Sequence, residues 1–215
     1  NMLENVSICF ISQGNSKYEY MSIILALTIR YFHPDIEIIV GVPQPQHIYG
    51  DLLPETYQLF EEKNIQTVKV YNQISDDYKI GNKYAILEKA CELSTKEYVL
   101  FLDSDIICTN PIEIPANMYA ADFCGMPTDY EDWVNKFPPT SKHFKWYSIF
   151  QRCGLQYKNY HKKNDEPLFY SYFSKSPIWV NYLNAGFIFI RNRMDIPKCL
   201  NKFTKVLYEA HKKSD

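Results

Sequence analysis

Tyr98-Val99-Leu100-Phe101-Leu102 constrains this chain more than any other segment, because five apolar residues follow one another without alternation and stop abruptly at Asp103-Ser104-Asp105. A strand with one wet face alternates apolar and polar residues. An unbroken apolar run of strand length belongs to a strand covered on both faces, and such strands are the mark of parallel sheets packed between helices. The rest of the sequence supplies the partners. Val6 to Ile11 is a second short apolar run, closed by the polar turn Ser12-Gln13-Gly14-Asn15. From Tyr18 to Phe32 apolar residues return at helical spacing (Met21, Ile24, Leu25, Thr28, Ile29, Phe32), and His33-Pro34 stops the helix.

The β-branched run 36–40 predicts a second strand closed by Gly41, 54–63 a helix, 65–70 a third strand and 82–93 a further helix. The β-α-β-α-β order predicts an α/β fold: a Rossmann-like, mostly parallel central sheet with helices on both faces. Residues 120–126 read as another short strand. Leu183-Asn184-Ala185-Gly186 opens a last strand over 187–190, and Pro197 starts a final helix running toward Ala210. Between them, residues 127–180 lack a clean period and hold all three Trp and five of the twelve Pro.

A length of 215 residues allows one sizeable core, so a single domain over residues 1–215 is expected. Net charge is −2 and no Lys/Arg block stands out, which argues against nucleic-acid binding. No apolar run approaches the roughly 18 residues of a membrane span, and Met2, the expected natural start after Asn1, is followed by polar residues rather than a signal peptide. The six cysteines form no CxxC pair, and several sit in apolar runs such as Ile106-Ile107-Cys108, so buried free thiols and a cytoplasmic location are expected.

Asp103 and Asp105 are the candidate chemical centre. An Asp-x-Asp is common by chance; its place at the carboxyl end of the most buried strand is what distinguishes this one, since open α/β sheets bind ligands there. Extended residues at i and i+2 point to the same side, with Cα atoms about 6–7 Å apart, so both carboxylates can serve one hard cation such as Mn²⁺ or Mg²⁺. A competing reading makes them polar residues capping a turn before Asn110-Pro111.

With Leu100-Phe101-Leu102-Asp103-Ser104-Asp105, Gly81-Asn82-Lys83-Tyr84 upstream and Tyr182-Leu183-Asn184-Ala185-Gly186-Phe187 downstream, the chain resembles GT-A-fold glycosyltransferases, particularly glycogenin-like ones, over about residues 6–126 and 181–210. The resemblance implies a nucleoside-diphosphate sugar donor, of the UDP type, and transfer of its sugar to a hydroxyl of a carbohydrate or of a protein- or lipid-linked acceptor. It implies that Asp103 meets metal and donor ribose, that Asp105 ligates the metal, and that Ser104 lies in the same donor-binding motif. Lys83 would reach the diphosphate, aided by a helix N-terminus. Ser12 and Gln13 follow the strand where the base is cradled, and Asn184, Ala185 and Gly186 would lie under the donor sugar. On this reading 6–126 is the nucleotide-sugar-binding half, 127–180 an irregular insertion facing the acceptor, and 181–215 the closing strand and helix of a catalytic domain cut short.

Family members usually carry a third metal ligand, often a histidine, late in the catalytic domain; the chain ends at Asp215 without that segment, and His211 falls in helical sequence. Trp133, Trp146 and Trp179 are candidate acceptor-binding rings, with core packing as the alternative, and Asp165-Glu166 is a candidate catalytic acidic pair. Two other functions compete. A haloacid-dehalogenase-like phosphatase also ends a strand in Asp-x-Asp, although normally on its first strand, and a non-catalytic carbohydrate-binding relative could keep the fold. A sugar-nucleotide pyrophosphorylase lacks support, because no Gly-rich, arginine-containing loop follows the first strand.

Overall fold

A computed structural model of the chain describes residues 2–14, 16–127 and 183–212. After a short 3₁₀ turn, the order is β1 (Val6–Ile11), α1 (Ser16–Phe32), β2 (Glu37–Gln44), a single turn α2 (Gln46–Tyr49), α3 (Pro54–Glu62), β3 (Gln66–Tyr71), α4 (Gly81–Leu93) and β4 (Tyr98–Leu102). A 3₁₀ turn at Ala116–Ala120, β5 (Phe123–Pro127), β6 (Leu183–Arg191) and α5 (Asp195–Lys212) complete it. The residues form two compact units, one of 1–125 with 185–201 and the other of 126–184 with 202–215.

The sheet order is β3-β2-β1-β4-β6-β5. β3, β2, β1 and β4 are mutually parallel, and β6 is antiparallel to β4, with Leu102 opposite Phe187 and Tyr98 opposite Arg191. This is the Rossmann-like, mostly parallel sheet expected from the strand-helix alternation.

Every residue of β4 is buried, and the strand feeds two cores. Tyr98, Leu100 and Leu102 pack with Ile8, Phe10, Leu25, Ile29 and Phe60 on one face; Val99 and Phe101 pack with Cys9, Ile86, Leu87 and Ala90 on the other. The continuous apolar run is therefore explained by helices α1 and α3 on one side and α4 on the other. Each fully buried side chain of this size contributes about 1.5–3 kcal/mol.

Two elements depart from expectation. β2 does not close at Gly41 but runs to Gln44, with Pro43 opposite Val70 of β3. The β1 pairing stops at Gly41, so Pro43 sits where β2 is bonded on one side only, a position that tolerates a missing N–H. Gly41 is needed for close packing, because a Cβ there would stand 2.9 Å from Ile11 Cδ1 and 3.0 Å from Ile86 Cβ of α4. In α1 the buried face is Ser22, Leu25, Ala26 and Ile29, while Ile24 is exposed beside Tyr20 and Tyr31.

The cysteines among the described residues are free thiols: Cys9 and Cys91 buried, Cys108 and Cys124 half-buried, Cys199 exposed. Burial pushes the Cys91 thiol up to about 12 and holds Cys9 well above the usual thiol range, so neither is a nucleophile. No helix among the described residues is long and apolar enough to cross a membrane.

Candidate functional site

A cleft of about 270 Å³ opens at the carboxyl ends of β1 and β4. Ile11 and Gln13 come from the end of β1, Tyr18 from α1, Lys79 and Ile80 from the turn before α4, Asn82 and Lys83 from α4, and Phe101, Asp103, Ser104 and Asp105 from the end of β4. Every one of these positions follows from strands that run in parallel, which brings their carboxyl ends to one edge.

Asp103 is held by three neighbours, Gly186, Lys83 and Ile106, whose N–H donates to the Asp103 carbonyl at 3.1 Å. The Asp103 N–H donates to the carbonyl of Gly186 at 2.9 Å, which continues the β4–β6 ladder one residue beyond Leu102. Both of its carboxylate oxygens face the ammonium of Lys83, with Nζ 2.7 Å from Oδ1 and 2.8 Å from Oδ2. That ammonium also lies 5.9 Å from the centroid of the Phe101 ring. Burial raises the Asp103 carboxyl above the ordinary carboxylate range; Lys83 opposes the rise through charge and hydrogen bonding, and Asp105 adds to it. Asp105 is exposed in the same cleft.

The loop that follows is pinned to α1. Cys108 N–H donates to Thr28 Oγ1 at 3.3 Å, and Ile112 N–H donates to His33 Nε2 at 2.7 Å. On the far side, Asn72 organises the turn ahead of α4: its amide donates to the carbonyls of Ser75 and Tyr78, and its oxygen accepts from Ile74 N–H. The loop after β1 is fixed by close backbone approaches, of Gly14 to Asp51 and of Gly50 to Gly14, that leave no room for a Cβ on either glycine.

The expected anion site at the N-terminus of α4 is corrected by this turn. The N–H groups of Gly81, Asn82 and Lys83 already donate to the carbonyls of Tyr78, Lys79 and Ile80, so they do not point free at a ligand. Attraction for an anion falls to the side chains of Lys83 and of Lys79, which is exposed.

The structure brings Gln13, Lys83, Asp103, Ser104 and Asp105 to one cleft. Ser12 is elsewhere: it is fully buried, its hydroxyl bonded to that of Ser22 at 2.5 Å and its N–H to the carbonyl of Gly41. Gly186 supports Asp103 through its backbone, and Asn184 and Ala185 lie beside it in β6. Asp165, Glu166, Trp133, Trp146 and Trp179 lie outside the described residues. Sequence reasoning passes over Tyr18, Lys79, Ile80 and Asn82. Asn82 is the informative one: it is 2% exposed, and its side-chain oxygen has no hydrogen-bond partner among the described residues. Its neighbourhood to Lys83 in Gly81-Asn82-Lys83-Tyr84 was the available signal.

Among the described residues no group of three or more His, Cys, Asp and Glu side chains converges. A Mg²⁺-type ion does not need one, since it is commonly held by one or two carboxylates with substrate phosphates and water completing the shell. The Lys83 ammonium between the oxygens of Asp103 is a stand-in cation, so the donor set fits a divalent ion shared with a phosphate.

No curated protein matches the chain. Among solved structures, the galactosyltransferase LgtC in complex with donor and acceptor sugar analogues has a TM-score of 0.49 at 13% identity, over 96% of this chain and 65% of that one. Glucosyl-3-phosphoglycerate synthase from Mycobacterium tuberculosis, in complex with UDP, has 0.43 at 12% identity, over 89% and 60%. The chain therefore spans less than two thirds of the length of either protein. The sequence profile of one family matches residues 8–213, nearly the whole chain, and on that match the protein belongs to the family of the Rhodobacterales glycosyltransferase domain.

Proposed function

We propose that the chain transfers a sugar from a nucleoside-diphosphate sugar of the UDP type to an acceptor hydroxyl, with a divalent metal held by Asp103 and Asp105. The observation that carries the reading is the meeting of these carboxylates with Lys83 and Lys79 in one cleft at the carboxyl edge of the sheet, in a chain of a glycosyltransferase family. The GT-A and glycogenin-like narrowing rests on the sequence motifs alone.

The chemistry follows from charge. A departing nucleoside diphosphate gains negative charge as the sugar becomes oxocarbenium-like. A bound Mn²⁺ or Mg²⁺ supplies Lewis-acid stabilisation of that charge. Lys79 and Lys83 hold the diphosphate, Asn82 offers its unpartnered oxygen to a donor hydroxyl or N–H, and Ile11 and Ile80 give the cleft an apolar flank. The carbonyl of Gly186 in β6 fixes the Asp103 backbone, and by the family resemblance Asn184, Ala185 and Gly186 would lie under the donor sugar. A haloacid-dehalogenase-like phosphatase normally carries its Asp-x-Asp on the first strand; here the pair ends the fourth.

Mn²⁺ with UDP is expected to raise the melting temperature by several degrees, as binding to the folded state alone requires. Asp105→Ala should abolish the rise, while Tyr31→Ala, on exposed α1 surface, should keep it. A nucleotide screen by thermal shift, followed by slow hydrolysis of the best UDP-, GDP- or CDP-sugar, tests the reaction. Glycan binding without any metal-dependent nucleotide uptake would replace this reading with the non-catalytic one.

A further inference from the structure

Both carboxylate oxygens of Asp103 already face a cation, which an arriving metal must displace or share. Lys83 Nζ stands 2.7 and 2.8 Å from its two carboxylate oxygens, and the pair is only partly exposed, at 22% and 27%. The ammonium is tethered to the same cleft, so an arriving ion competes with a partner whose effective concentration is high. The lysine stem rises from the first turn of α4, and the ring of Phe101, 1% exposed, provides a fixed face near the ammonium. Asp105, the other carboxylate, is exposed and by itself a weak site for a hydrated divalent ion.

We propose that Lys83 is an interim counter-ion of Asp103 that makes metal binding conditional on the nucleotide. The inference rests on reading the cleft as a site for a divalent metal and a nucleoside diphosphate, and goes beyond it by assigning an order of events. A diphosphate offers Lys83 more negative charge than one carboxylate does. When it enters, with Lys79 as the exposed cation at the cleft mouth, the Lys83 ammonium transfers to it and the oxygens of Asp103 become available. Metal and diphosphate then hold each other. No bond is made or broken and no proton moves; one ion pair is exchanged for another. By linkage, the metal must strengthen nucleotide binding by the same factor as nucleotide strengthens metal binding.

Three lysine variants and two titrations test the idea, with folding checked by thermal melting. Free Mn²⁺ is followed by electron paramagnetic resonance, without and with UDP. The wild-type protein should take up Mn²⁺ weakly alone and at least about fivefold more tightly with UDP, within the usual range of coupling. Lys83→Met should bind Mn²⁺ alone about fivefold or more tightly than wild type while binding UDP more weakly, so that the coupling collapses. Lys83→Arg keeps a bidentate cation and should keep the coupling.

Lys79→Met removes a charge from the same cleft without touching Asp103, and should change Mn²⁺ affinity less than Lys83→Met does. Unchanged or weaker Mn²⁺ binding in Lys83→Met, or an equal gain in Lys79→Met, overturns the proposal while leaving the metal-nucleotide site intact. Wild-type protein that takes up no Mn²⁺ even with UDP overturns the underlying function instead.

Discussion

Asn82 carries an amide oxygen that is buried, lines the cleft and accepts from nothing among the described residues. Leaving a buried acceptor unpaired costs about 1–3 kcal/mol, so such a group is a reserve that a ligand can recover. Asn82→Ala removes the orphan together with the reserve. The expected signature is a melting temperature unchanged or higher without ligand, and UDP affinity, measured by calorimetry in Mn²⁺, lower by about fivefold to tenfold. A purely structural asparagine would move both in the destabilising direction, which distinguishes the two roles. Asp103 shows the opposite arrangement, with every polar atom engaged: its N–H by Gly186 and its carboxylate by Lys83.

At the scale of elements, the loop after β4 depends on α1 through a neutral histidine. Ile112 N–H donates to His33 Nε2, so that nitrogen cannot carry a proton while the bond exists. Burial lowers the His33 imidazole below its usual range. The folded state therefore binds fewer protons than the unfolded chain, and the stability from this contact is present above the ordinary histidine value of about 6.5 and is lost as pH falls below it. Thermal melts between pH 7.5 and 5.5 should slope less in His33→Gln than in wild type; parallel slopes would remove His33 from the account.

Such cross-element bonds are what the linear pattern does not carry. β4 is legible because burial on both faces leaves an unbroken apolar run, and its acidic end is legible because the polarity changes within one residue. Gly41 and Pro43 look like a strand terminus because both are usually breakers; that β2 continues depends on where β1 stops and on how closely Ile86 of α4 approaches. Ser12 looks like a ligand residue because it follows a strand, yet its hydroxyl is taken by Ser22 from α1. Asn82 stands in the recognisable stretch Gly81-Asn82-Lys83-Tyr84 but has no pattern of its own, since an orphaned buried oxygen exists only after α4 has packed.

For the molecule as a whole, the sheet order makes stability and binding separable. β1 and β4 lie between other strands and are almost wholly buried, whereas β3 is an edge strand with only Val70 buried. Amides in β1 and β4 should exchange with solvent only through global unfolding, and those of β3 through cheaper local opening. The cleft takes residues from α1, α4, the turn before α4 and the ends of β1 and β4, and none from β3 itself, so opening that edge strand alone should leave the cleft standing. A ligand that binds only the folded state adds about 2.7 kcal/mol at one hundred times its dissociation constant. Mn²⁺ with UDP at that level should then slow exchange in β1 and β4 by about a hundredfold and leave β3 nearly unchanged, as measured by native-state hydrogen exchange. Equal slowing in β3 would mean that its opening dismantles the cleft, and that the edge strand and the carboxylate end of β4 unfold as one unit.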